Sequence, residues 1–221
     1  MAGTGQSLTL STLPKRIPVF PLTGALLLPK AQLPLNIFEP RYLAMVNDAM
    51  SAERIIGMIQ PGLGGDMIDA DKPALCAVGC AGRITAFAET PDGRNLITLT
   101  GVCRFAVRRE LPSPYPYRIV EPDFTAYAQD LEPAPELDRT GLFSTIRDFL
   151  KVYDLKADWE EMQRASTETL VNTFSILAPC SPQEKQALLE ANDLKARSDV
   201  LKTLTDIAVA TMGQDGPRSI Q

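Results

Sequence analysis

What most constrains this chain is a change in the period of its apolar residues near position 128. Before it, short apolar runs and two-residue alternation set the pattern, the signature of strands. After it, apolar residues recur every three or four positions, the signature of helices. Ile17-Pro-Val-Phe20 and Leu33-Pro-Leu-Asn-Ile-Phe38 are short runs whose prolines suit edge or first-in-strand positions. Arg54 to Gln60 reads as a buried strand, closed by the glycine-rich loop Pro61-Gly-Leu-Gly-Gly65. Ala77 to Ala88, the turn Thr90-Pro-Asp-Gly-Arg94 and the alternating Asn95 to Thr100 predict a hairpin. Val102 to Glu110 reads as a further strand and Tyr117 to Val120 as a last short one. Many strands with little helix between them predict a closed or strongly bent antiparallel sheet.

One helix interrupts the strands. It starts at Glu39-Pro40-Arg41-Tyr42, with Pro40 at the first helical position, and carries Leu43, Val46 and Met50 at helical spacing. After the acidic, proline-bearing stretch 129–135 come Leu142, Ile146, Phe149 and Leu150 as one apolar stripe. Trp159, Met162, Leu170, Phe174 and Leu177 form a second. Ser181-Pro-Gln-Glu184 is a capping box, and Leu194, Arg197, Leu201, Leu204 and Ala208 mark a last helix ended by Gly213. The division read from this is a loose leader over 1–14, a β-rich domain over 15–128, a linker over 129–135, a helical bundle over 136–212 and a loose end over 213–221. The fold class is α+β.

Composition narrows the chemistry more than the fold. The 221 residues include no histidine, which removes the usual general base near neutral pH, the Ser-His and Cys-His pairs and the commonest transition-metal ligand. Cys76, Cys80, Cys103 and Cys180 form no Cys-x-x-Cys pair, and three of them lie in strand-like stretches as small apolar residues. The net charge of −5 speaks against a nucleic-acid partner. Pro18 and Pro21 break the one stretch that could imitate a signal peptide, and no apolar run reaches the ~18 residues a membrane span needs. A soluble, cytoplasmic protein is expected. The loop Gly62-Leu-Gly-Gly65 lacks the Lys-Ser/Thr of a phosphate loop, and Asp66 after it would repel phosphate. No cofactor, metal or catalytic residue is assigned.

The residues singled out for binding or scaffold roles are Phe38, Glu39, Arg41, Tyr42, Arg83 and Arg104. Glu39, Arg41 and Tyr42 put polar groups into an apolar stretch at a helix start, where Arg41 is expected to anchor the helix to the sheet. Arg83 and Arg104 sit within strand-like runs, where ion pairs with the acidic helices are expected.

These pieces, in this order and spacing, resemble a known family. Pro18-Val-Phe-Pro-Leu22, Leu28-Pro29, Leu33-Pro-Leu35, Ile37-Phe-Glu-Pro-Arg-Tyr42 and Met45-Val46 are similar to the opening signature of LON domains. Gly79-Cys-Ala-Gly-Arg-Ile84 and Leu99-Thr-Gly-Val-Cys-Arg-Phe105 resemble its second half, and Leu177 to Glu190 its helical part. The likeness runs from about residue 15 to 210. It implies a PUA-like antiparallel β-barrel with an inserted helix, followed by a helical bundle. In the Lon protease this region engages protein substrates and helps assemble the ring; related domains stand alone in bacteria and occur in cereblon. The resemblance therefore implies a non-catalytic module for unfolded or tagged protein segments, as a substrate receptor or as an adaptor for a separate protease. Neither a Walker loop nor a segment like the Ser-Lys protease site accompanies it. RNA binding, known of PUA-like barrels elsewhere, is the alternative, and the oligomeric state stays unassigned.

Overall fold

The computed structural model describes residues 9–64, 67–69 and 72–215. Expectations for 1–8, Gly65, Asp66 and 216–221 lie outside the described residues. The chain divides into two compact units, Met1–Pro133 and Ala134–Gln221.

The first unit is built on a six-stranded sheet. Its strands are β1 (Ile17–Pro21), β2 (Gln32–Ile37), β3 (Ile55–Pro61), β6 (Leu75–Glu89), β7 (Asn95–Leu111) and β8 (Arg118–Asp123), in the order β2-β7-β6-β3-β1-β8. A small separate ladder joins β4 (Met67–Asp69) to β5 (Lys72–Pro73), and helix α1 (Pro40–Met50) lies between β2 and β3 in the chain. β8 pairs with β1 and also with the far half of β7, so the pairings run in a circuit from β7 through β6, β3, β1 and β8 back to β7.

The sheet is mixed, not purely antiparallel: β1 and β3 run parallel, with Val19 opposite Gly57. The intervening β2 and α1 supply the long crossover that a parallel pair requires. The expectation of edge positions for the prolines holds for β2, an edge strand with Pro34 at its middle. It fails for β1, which lies between β3 and β8. Pro18 is tolerated there because the two ladders overlap only at Val19: Pro18 faces β8 alone, and Pro21 faces β3 alone.

The reading of Val102 to Glu110 as a separate strand also needs correction. β7 runs unbroken through Gly101, and its first half pairs with β2 while its second half pairs with β8. The turn is as read from Pro91-Asp-Gly: the Gly93 N–H donates to Thr90 O at 3.0 Å, with Gly93 at φ +80°. The core of this unit includes Ile17, Val19, Ile59, Cys103, Phe105 and Val120. The fully buried Phe105 ring occupies the space left by two glycines; a Cβ on Gly79 would stand 2.6 Å from it and one on Gly57 3.0 Å from it.

Two local expectations fail for tertiary reasons. Residues 9–14, assigned to a loose leader, contain a 3-10 turn at Leu10–Thr12, and Leu13 is buried in the core. The buried face of α1 is Tyr42, Met45, Val46 and Ala49; Val46 is buried as expected, whereas Leu43 and Met50 are only half-buried at the margins of that face. A tyrosine with an apolar body serves as well as a leucine on that face.

In the second unit, α2 (Arg139–Val152), α3 (Trp159–Arg164), α4 (Thr167–Leu177), α5 (Pro182–Glu190) and α6 (Leu194–Asp215) follow one another, and α6 packs against α2, α4 and α5. Leu142, Ile146, Phe149 and Leu150 are all buried, as their spacing predicts. The stripe from Trp159 to Leu177 belongs to two helices, because Ser166 starts α4 by accepting from the Thr169 N–H. α6 continues through Gly213 to Asp215. The capping box forms as read: Ser181 Oγ accepts from the Glu184 N–H at 3.3 Å, and the Ser181 N–H donates to Glu184 Oε2 at 2.7 Å. Ser181→Ala is expected to lower the stability of this unit by about 1 kcal/mol, and Ser181→Asp to retain most of it, in denaturant titrations. Equal midpoints for wild type and Ser181→Ala would show the cap to be idle.

Candidate functional site

The sheet of the first unit carries a cleft of about 560 Å³ at the ends of several strands. Pro21 closes β1 and Pro61 closes β3. Arg41 and Tyr42 come from the first turn of α1, Lys72 and Pro73 from β5, Glu110 from β7 and Arg118 from β8. The loop Pro112-Ser-Pro-Tyr-Pro-Tyr117 forms the remaining wall.

Each aromatic group is held by a definite contact. Tyr42 is buried against Phe20, ring centroids 4.2 Å apart, and the Arg41 guanidinium lies 4.6 Å over its ring. Burial pushes the Tyr42 phenol above its ordinary pKa, with Glu39 adding to the effect and Arg41 and Arg118 opposing it. Tyr117 donates to Asp48 Oδ2 at 2.6 Å, and burial together with that bond raises its pKa. Tyr115 stacks on Tyr117 with centroids 5.2 Å apart and planes 7° from parallel, yet remains 51% exposed. The result is a flat ring presented to solvent on a fixed support.

The charges are arranged around Glu110. Arg118 grips it bidentately, Nε to Oε1 at 3.0 Å and Nη2 to Oε2 at 2.6 Å, and Lys72 Nζ reaches Oε1 at 2.6 Å. Burial works against the ionised carboxylate, but these hydrogen bonds outweigh it and hold Glu110 below the usual carboxylate range. A carboxylate so engaged is a structural anion. With the phenols pushed up as well, the groups of the cleft suit binding better than proton transfer.

The residues expected from the sequence are only partly brought together. Arg41 and Tyr42 line the cleft, and Glu39 pairs with Arg41 at 2.8 Å. Arg41 does not anchor the helix to the sheet: both side chains of the pair are about half exposed, at 54% and 42%, and such a pair contributes ~1 kcal/mol at most. Phe38 is 63% exposed outside the cleft. Arg83 is half-buried on β6, opposite Ile55 and Thr100, and has no ion pair among the described residues. Arg104 does pair, but not with a helix of the second unit. Its partner is Asp130, in the 3-10 segment Thr125–Leu131 of the stretch read as a linker. Asp130 accepts from Arg104 Nε at 2.9 Å, Nη2 at 2.9 Å and backbone N–H at 3.0 Å, and Tyr127 stacks under the guanidinium at 4.5 Å. Burial, with Asp130 nearby, pushes the Cys103 thiol up to about 12, and burial pushes Cys180 up to about 11. Tyr115, Tyr117, Lys72, Glu110 and Arg118 were not anticipated. The alternation of Pro and Tyr over 112–117 is a signal for the two tyrosines alone; Lys72, Glu110 and Arg118 are single charges with no local pattern around them. Among the described residues no helix is long and apolar enough to cross a membrane, and no three His, Cys, Asp or Glu are placed to share a metal.

Residues 16–206 match the substrate-binding domain of the ATP-dependent protease La (LON). The Lon protease of Flavobacterium johnsoniae is 27% identical over 203 residues, which is 87% of this chain and 24% of that protein. The Lon protease of Desulfosudis oleivorans is 24% identical, over 86% of this chain and 23% of that protein. The chain thus spans about a quarter of the length of these relatives. Among solved structures, a Lon N-terminal domain protein from Xanthomonas campestris superposes with a TM-score of 0.58 and 24% identity, over 84% of this chain and 96% of the other. The N-terminal domain of Mycobacterium avium complex Lon protease gives 0.62 and 18%, over 87% and 98%. The strand circuit and following helices are therefore the fold of Lon N-terminal domains, and the chain belongs to the LON substrate-binding domain family. Substrate recognition is the role of that family.

Proposed function

We propose that this chain is a non-catalytic recognition module that holds segments of other protein chains, as a substrate receptor or adaptor, in the cleft lined by Tyr42 and Tyr115. In this reading the circuit of strand pairings forms a PUA-like barrel, and the cleft opens at the ends of its strands. The observation that carries the proposal is Tyr115. A large ring left half exposed and pinned flat by Tyr117 loses little conformational entropy when a chain packs on it. The lining residues support binding rather than bond breaking, since Glu110 is held by Arg118 and Lys72, and Arg118 by Glu110 and the Pro73 carbonyl.

Fluorescence anisotropy with a labelled, permanently unfolded polypeptide tests this. Saturable binding is expected, weakened about tenfold or more by Tyr115→Ala, the loss typical of an interfacial tyrosine anchor. The variant should melt like wild type because the ring is exposed. Saturable binding that Tyr115→Ala leaves unchanged would move the site elsewhere, and no saturable binding at all would end the proposal.

A further inference from the structure

We propose that the cleft selects an extended protein segment in which a carboxylate side chain lies next to a proline or an aromatic residue. This rests on the reading of the cleft as the site for protein segments. The selection follows from which polar groups remain unspent. Both oxygens of Glu110, the lining carboxylate, are occupied by Arg118 and Lys72, and Arg118 Nη1 is committed to Pro73 O at 2.8 Å. The cations at the mouth are not used up. Lys72 has spent one of its three donors on Glu110, and its side chain is 40% exposed. Arg41 places both Nε and Nη2 on one oxygen of Glu39, and its side chain stays 54% exposed.

The backbone adds fewer donors than usual here. Pro21, Pro61, Pro73, Pro112 and Pro116 line the cleft without an N–H, which thins the donors an added strand would need. The side chains offer the face of Tyr115 for a flat apolar group, and the positive charge of Lys72 and Arg41 for an acceptor. A carboxylate meets that second requirement with charge-assisted hydrogen bonds, whereas a lysine or arginine at the same place would face two cations.

Two short unstructured labelled peptides, identical but for Glu-Pro-Tyr in one and Gln-Pro-Tyr in the other, provide the test by anisotropy. The glutamine peptide is expected to bind about tenfold more weakly, the difference shrinking in high salt and disappearing in the Lys72→Gln/Arg41→Gln protein. Both substitutions fall on exposed side chains, and a normal melting curve confirms the fold. Equal binding of the two peptides, both weakened by Tyr115→Ala, would overturn carboxylate selection and leave the segment-binding reading standing. Binding of neither peptide would overturn both. Displacement of the glutamate peptide by equimolar inorganic phosphate would mean that the cleft reads bare negative charge, which also overturns the selection.

Discussion

Asp130→Ala is expected to destabilise the first unit by about 3–5 kcal/mol, as judged from urea unfolding curves. The size follows from what the aspartate leaves behind. The Arg104 side chain is 1% exposed, and without Asp130 its guanidinium keeps a buried charge that has lost this carboxylate. The Arg104 backbone N–H loses its acceptor too. Breaking a buried pair from one side costs far more than the pair contributes, since the desolvation cost of the remaining charge persists. Replacing both partners, as Arg104→Met with Asp130→Leu, should therefore restore much of the loss. A single variant that lost less than ~1 kcal/mol would show that water reaches Arg104 and that the pair is no lock.

Gly101→Ala is expected to cost about 3 kcal/mol or more in the same measurement. A Cβ at this position would stand 2.0 Å from Leu28 O, 2.7 Å from Leu28 C and 3.2 Å from Pro29 Cα, and all three atoms are backbone. No rotamer change relieves such a contact. β7 would have to separate from the segment before β2, breaking the bonds from the Lys30 N–H to Gly101 O and from the Gly101 N–H to Ala31 O. Gly93→Ala is the comparison: nothing lies within 4 Å of its Cβ position, so only the positive φ of +80° opposes the change. That costs roughly 1–2 kcal/mol. Equal losses at the two glycines would mean that backbone conformation, not the close approach, explains Gly101.

These two residues also mark where sequence reading reached its end. Val102 to Glu110 was read as a further strand after Asn95 to Thr100, and Gly101 between them was given no role. The chain uses it for a close approach by a segment more than seventy residues away, and nothing in the neighbouring residues encodes that. Asp130 was placed in a linker on its acidic, proline-bearing surroundings, and Arg104 was expected to pair with helices. Both expectations were reasonable for isolated segments and wrong for the pair, which exists only because the 3-10 segment folds back on β7. For the site the outcome was similar. Arg41 and Tyr42 were visible because they interrupt an apolar run at a helix start. Lys72 and Glu110 were not, since they are single charges on a short and a long strand, and Tyr115 offered only the Pro-Tyr alternation of its loop.

Local chemistry was enough for the elements whose causes lie within a few residues. Proline at the first turn of α1, Pro-Asp-Gly at the hairpin and Ser-Pro-Gln-Glu at α5 each satisfy or forbid particular backbone groups wherever they occur. The signature runs from Pro18 to Tyr42 and from Gly79 to Phe105 marked the family in the same way, as an ordered set of such local solutions. The parallel pairing of β1 with β3, the double pairing of β7, the burial of Arg104 and the meeting of Tyr42 with Tyr115 depend instead on which distant segments share space. Hydrophobic burial drives that choice without direction, and only the packed chain resolves it into particular neighbours.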